Sequence, residues 1–162
     1  MKLSSISLLV FLSLVIINCS KSTHVLSGES IALEFYTSDS SGKRINIFSP
    51  NSDIFFHVLM SNNSDSTINY YTVHSGPEFG VKIYQGDSLI GTSDDQKGYA
   101  TVIVDRQLRA GHALEWSDSW LSNPAHTQPL PSGSYKAVVV SYINFYYLAR
   151  ELTADTLGFV IR

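Results

Sequence analysis

The chain has 162 residues, 44% of them hydrophobic and 15% charged, and a net charge of −3. That length suits one domain able to bury a core without help from metals or disulfides. The acidic balance, 11 basic against 14 acidic residues with no basic run, argues against a nucleic-acid partner, which needs clustered Lys and Arg facing phosphates, and against an electrostatic membrane contact.

Met1 and Lys2 are followed by Ile6–Ile17, an apolar run without charge. A membrane-spanning helix needs about 20 apolar residues, whereas a secretory signal core occupies roughly 7–15, so the run reads as a signal core. It ends in Val15-Ile16-Ile17-Asn18-Cys19-Ser20, which resembles the lipobox of bacterial lipoproteins, with Asn18 standing where Gly, Ala or Ser is usual. Cys19 is the only cysteine, so no intramolecular disulfide can form. The alternative is an ordinary secretory peptide with an incidental cysteine. The resemblance implies a diacylglyceryl group on the Cys19 sulfur. Each buried methylene contributes about 0.8 kcal/mol, so two or more chains anchor stably. Residues 1–18 are then a lipoprotein signal peptide, residues 19–29 a lipidated cysteine and a polar, poorly ordered tether, and residues 30–162 the folded domain. The membrane is a partner through the lipid on Cys19, and the protein belongs to the cell envelope. Ser20 after the cysteine fits outer-membrane sorting by resemblance to enterobacterial lipoproteins.

From Ile31 onward, period-two alternation and short β-branched runs are punctuated by Gly, Pro, Asn and Asp, the pattern of antiparallel strands. In Ile31–Thr37, Ile31, Leu33 and Phe35 share one face,. Ser38–Gly42 reads as a turn and Arg44–Phe48 as a short strand or connection. Asp53–Ser61 contains Ile54–Met60, nearly continuous apolar, which suits a central strand covered on both sides,. Asn62–Ser66 closes it, and Thr67–His74 is the next strand. Ser75-Gly76-Pro77 leads into Phe79–Tyr84, Gln85–Ser88 forms a hairpin turn into Leu89–Gly91, and Tyr99–Asp105 and Ala113–Trp116 follow. After a loop come Gly133–Tyr142, a short strand around Tyr146, and Leu157–Ile161. Eight or nine strands at this spacing, with no long amphipathic helix, predict an all-β, immunoglobulin-like antiparallel Greek-key β-sandwich in which every strand pairs within that one sandwich.

Three stretches resemble the BsuPI-type intracellular proteinase inhibitor domain family. They are Asn62-Asn63-Ser64 with the later Ser75–Tyr84 run, Leu108-Arg109-Ala110-Gly111 leading to Trp116 and Trp120, and Leu130–Tyr135 entering a late strand. Together they cover about Ser30 to Tyr142. The resemblance implies an immunoglobulin-like sandwich and a capacity to bind proteases. The chain departs from the family at Gly91–Gly98, a polar stretch where the family is rich in tryptophan, and from Phe145 to Arg162, where no counterpart is placed.

The five histidines, His24, His57, His74, His112 and His126, show no close ligand spacing, so neither metal nor other cofactor is expected. His57, inside an apolar strand, reads as a core histidine. No Gly-x-Ser-x-Gly elbow is present, and Asp94, Asp95, Glu115 and Asp118 fall in turns or at strand ends, where solvation explains them. An enzyme is not expected. Of the tryptophans, Trp116 reads as core, while Trp120, in a polar stretch, is a candidate contact residue. The Ser122–Ser132 loop, stiffened by Pro124, Pro129 and Pro131, has the length and low entropy to occupy a protein partner's cleft. The sequence thus predicts a membrane-anchored, non-catalytic protein-binding sandwich, with proteinase inhibition as one case. The alternative is a carbohydrate-binding surface lipoprotein using Trp120 and exposed tyrosines.

Overall fold

A computed structural model describes residues 22–25, 31–146, 152 and 155–162. The signal peptide and Cys19 lie outside the described residues. Among the described residues there are twelve strands and no α-helix. Their ranges are β1 (Ser22–Val25), β2 (Ile31–Ser38), β3 (Ile47–Phe48), β4 (Phe55–Asn62), β5 (Ile68–His74), β6 (Phe79–Gln85), β7 (Ser88–Thr92), β8 (Thr101–Leu108), β9 (Ala113–Ser119), β10 (Gly133–Ser141), β11 (Ile143–Phe145) and β12 (Thr156–Ile161).

Two sheets form the sandwich. One has the order β1-β2-β4-β9 and the other β3-β12-β10-β6-β7. Taking β2, β4, β6, β7, β9, β10 and β12 as strands A, B, C, C′, E, F and G gives the ABE and GFCC′ sheets of the immunoglobulin-like fold. Alternation places the core between them. Ile31, Leu33 and Phe35 of β2 and Phe56, Val58 and Met60 of β4 are buried. They face Val81 and Ile83 of β6, Ala137 and Val139 of β10, and Leu157, Phe159 and Ile161 of β12, in one continuous cluster. Phe159 sits at its centre, edge-on to Phe48 and Phe56 at 6.1 Å and stacked on Tyr135 at 5.3 Å. The Tyr135 hydroxyl donates to the Pro131 carbonyl at 2.7 Å, a tyrosine corner at the start of strand F.

Three features differ from the sequence expectation. First, Ser22–Val25, within the stretch expected to be a tether, pairs antiparallel with β2 in the register Ser22↔Phe35. A main-chain ladder satisfies an exposed sheet edge without any apolar pattern in the added strand. Second, β3 pairs in parallel with β12, so the second sheet is not wholly antiparallel. Third, β5, β8 and β11 do not join the sandwich but form their own sheet, in the order β11-β5-β8.

Asn62 ties that third sheet to the sandwich. It is fully buried, and its Nδ2 donates to the carbonyls of Ser66 at 2.8 Å and Leu108 at 2.9 Å. Its Oδ1 accepts from the Ser64 N–H at 3.0 Å. Its backbone accepts from Gly111 and donates to His112, both at 2.9 Å. One amide thereby joins the β4–β5 turn to the β8–β9 turn.

A candidate binding surface at the polar turn and the proline loop

The Thr92–Gly98 turn, where the sequence is polar, is the hub of a hydrogen-bonded surface. The Asp94 carboxylate accepts from the Tyr142 hydroxyl and, at 3.2 Å, from the Tyr99 hydroxyl. His74 lies between the same two rings, stacked on Tyr99 at 5.3 Å and edge-on to Tyr142 at 4.7 Å. The Gly76 N–H donates to His74 Nδ1 at 3.0 Å, which leaves Nε2 as the protonated nitrogen of the neutral ring. Burial, reinforced by the Asp94 charge, pushes the Tyr99 hydroxyl up to about 12 and drives Tyr142 upward as well. Both phenols therefore stay neutral donors. Gly80 is required beneath them, because a Cβ there would lie 2.6 Å from Asp94 Oδ2 and 2.9 Å from the Tyr142 oxygen.

Asp95 anchors the other side of the turn. It accepts from the Thr92 N–H at 2.8 Å and the Thr92 hydroxyl at 3.0 Å, and His126 Nε2 lies 3.1 Å away. Burial opposes its ionisation, but the Thr92 and His126 hydrogen bonds hold its carboxyl below the usual range. Lys97 donates to Asp118 of β9 at 2.7 Å. Solvation had explained Asp94, Asp95 and Asp118 from sequence; each instead joins segments far apart in the chain, a pairing that no local spacing encodes.

The proline loop is fastened from beneath. A 3-10 turn, Trp120–Ser122, opens it, with the Ser119 side chain accepting from the Ser122 N–H. The Asp53 carboxylate accepts from Leu121 N–H at 2.9 Å and from the Ser119 hydroxyl at 2.7 Å. Buried Asn123 donates to the Ser93 carbonyl at 2.8 Å and accepts from the Ala125 N–H at 2.9 Å. Trp120 Nε1 donates to the Gln128 carbonyl at 3.0 Å, and the His126 ring lies flat on the indole, 3.6 Å between centroids.

The predicted contact residues separate accordingly. Pro124 and Pro131 are exposed and Pro129 is half-buried. Trp120 is only 7% exposed. This corrects its expected place on the contact surface: the imidazole and the loop backbone cover it, so it offers no open face to a ligand. Trp116 points inward beside its cross-strand neighbour Val58, but it is half-buried because β9 is a sheet edge. Among the described residues no group of three or more His, Cys, Asp and Glu side chains suited to a metal forms.

His57 is not a core residue. It projects from the outer face of β4, stacked on Tyr36 at 4.7 Å, with Nε2 2.8 Å from the Ser38 hydroxyl. Arg44 lies over the other side of Tyr36, 3.6 Å from the ring centroid, and pairs with Glu34. Burial pushes the His57 imidazole below its ordinary value, against the attraction of Glu115.

No protein-family model matches the chain, and no curated protein matches it. Among solved structures it is similar to β-glucuronidase 2 of Bacteroides uniformis, covalently bound to cyclophellitol-6-carboxylate aziridine, at 12% identity and a TM-score of 0.43 over 78% of this chain. It is also similar to β-glucosidase of Listeria innocua in complex with gluconolactone, at 12% identity and a TM-score of 0.39 over 80% of this chain. The chain spans 13% and 16% of the length of those two enzymes. A third similar structure is the CARDB domain of a Pyrococcus furiosus protein in complex with di-metal ions, at 11% identity and a TM-score of 0.42, covering 82% of this chain and 94% of that one.

Proposed function

We propose that this chain is a lipid-anchored binding protein of the bacterial cell envelope, held at a membrane through Cys19, whose sandwich engages a protein partner through the Ser122–Ser132 loop. Inhibition of a protease is the case that the loop's form favours. The observation that carries this reading is the combination of exposed Pro124 and Pro131 with a loop underside fixed by Trp120, Asn123, His126 and Tyr135. A segment already held in one conformation loses little entropy on docking, so more of its contact energy appears as affinity.

Two measurements test the reading. Metabolic labelling with a radioactive fatty acid should mark the wild-type protein and fail to mark Cys19→Ala. The detergent-solubilised protein, titrated at micromolar concentration against a panel of serine and cysteine proteases, should slow at least one, and Pro124→Gly/Pro131→Gly should weaken that effect. A panel in which no protease slows removes the inhibitor reading, and an unlabelled wild-type chain removes the anchor.

A further inference from the structure

The outer face of the three-stranded sheet carries a groove that the loop reading does not use. Its volume is about 600 Å³, and it is lined by Asn69, Asp105, Arg106, Gln107 and Tyr146. The register dictates this grouping. Asn69 of β5 stands opposite Gln107 of β8, and Tyr71 stands opposite Asp105. Side chains opposite one another in an antiparallel pair share a face, so these two rungs lie on one side of the sheet, about 7 Å apart along it. Tyr146 follows β11, and its ring packs on Tyr71 at 4.9 Å with an interplanar angle of 45°. Its hydroxyl donates to Asp105. The ring is thus held at both ends while it remains 50% exposed.

The chemistry of this set is specific. Two amides in register each offer a carbonyl acceptor and an NH₂ donor, Asp105 adds acceptors, and a fixed aromatic ring adds an apolar face. Such a combination complements a pyranose, which presents C–H bonds on one face and hydroxyls at its rim that both give and accept. Charge selects against the other polymers. Arg106 stands opposite buried Tyr70 on the sheet's other face, with its Nε 3.0 Å from Glu78, so with Asp105 on the groove face there is no uncompensated positive charge to attract phosphate or sulfate. The volume fits the range of small-molecule sites, and the groove is open to solvent rather than enclosed, which suits units within a chain rather than a single engulfed sugar.

We propose that this groove binds a neutral saccharide chain, with Tyr146 as the stacking platform and Asn69 and Gln107 as the hydroxyl-reading pair. The site is separate from the proline loop and does not depend on the protease reading.

The test is calorimetric titration of the detergent-solubilised full chain with cello-, malto-, xylo- and chito-oligosaccharides of about four to six units, a length that covers both rungs. At least one series binds the wild type. Tyr146→Ala lowers its affinity about tenfold or more, and Asn69→Ala and Gln107→Ala lower it about threefold to tenfold each. Tyr146→Phe, which keeps the ring and loses the hydroxyl that bonds Asp105, stays within about threefold of wild type, and an unchanged urea midpoint shows that the alanine form is folded. The proposal is overturned if no oligosaccharide binds at millimolar concentration, or if binding survives Tyr146→Ala. It is likewise overturned if the groove instead takes an extended peptide whose binding is lost in Val102→Pro, which blocks main-chain pairing along β8, and kept in Tyr146→Ala.

Discussion

Asn62 and Leu108, 46 positions apart in the chain, are joined by a buried amide-to-carbonyl hydrogen bond of 2.9 Å. Leu108 ends β8 and Asn62 ends β4, so this contact sets where the third sheet stands relative to the sandwich. Removing a hydrogen-bonding partner inside a protein leaves the remaining group without water to replace it, which costs more than the bond itself contributes. Asn62→Ala strands the Leu108 carbonyl together with the Ser64 N–H. The expected loss is about 2–4 kcal/mol of unfolding free energy, read from urea denaturation. Asn62→Asp, which keeps the shape but removes both donors, should lose a similar amount.

The tyrosine corner gives a smaller and cleaner test. Tyr135→Phe keeps the ring that stacks on Phe159 and deletes only the hydroxyl that bonds Pro131. The expected cost is about 1 kcal/mol, with the denaturant slope unchanged because no extra surface opens. The proline loop should also be cut faster in limited proteolysis, since its far end loses its tether.

Stability should depend on pH through His57. Burial holds its pKa below 6.5 in the folded state, so below that value the unfolded chain binds the extra proton first. The contribution is therefore complete above pH 6.5 and declines as pH falls through the folded pKa. The urea midpoint, followed from about pH 7.5 down to about pH 5, should drop less steeply in His57→Gln than in wild type. Equal slopes would mean that the Tyr36 stack and Ser38 do not hold the ring neutral.

Gly91 tests the coupling between the polar turn and the loop. A Cβ at this position would sit 2.8 Å from His126 Nε2, 2.9 Å from Asp95 Oδ2 and 3.0 Å from the Trp120 ring. Gly91→Ala must displace the imidazole from the indole, and overpacking of this kind costs about 1–3 kcal/mol. Tryptophan emission should shift to the red as Trp120 gains solvent, and protease inhibition, where present, should weaken with it.

Much of the fold was legible in the pattern of side chains. The alternation of Ile31, Leu33 and Phe35 named the inner face of β2, and the glycine-containing turn at Gln85–Ser88 marked the β6–β7 hairpin, because both signals are local. The third sheet was not legible: Thr67–His74 and Tyr99–Asp105 read as strands, but partner choice depends on a buried asparagine that joins two distant turns. The site was less legible still. Trp120 stands in a run of serines and an aspartate, a pattern of exposure, yet the loop folds back on it: His126 lies on the indole and the Gln128 carbonyl accepts its N–H, while Asp95 from the distant turn holds His126 in place. His57 failed in the opposite sense, since apolar neighbours in sequence alternate faces in a strand and Phe56 and Val58 took the interior.

Among the described residues β8 is an edge strand of its sheet, and it carries Val102, Ile103 and Val104, Ile103 being 67% exposed, with Asp105 and Arg106 immediately after them. Short β-branched runs at an unpaired edge are the usual seeds of fibrils. Here two adjacent ionised residues point to opposite sides of the strand, so a stacked copy would bring like charges together on whichever face it used. Asp105 and Arg106 therefore act as gatekeepers against aggregation, a safeguard that matters most where many copies crowd onto one surface.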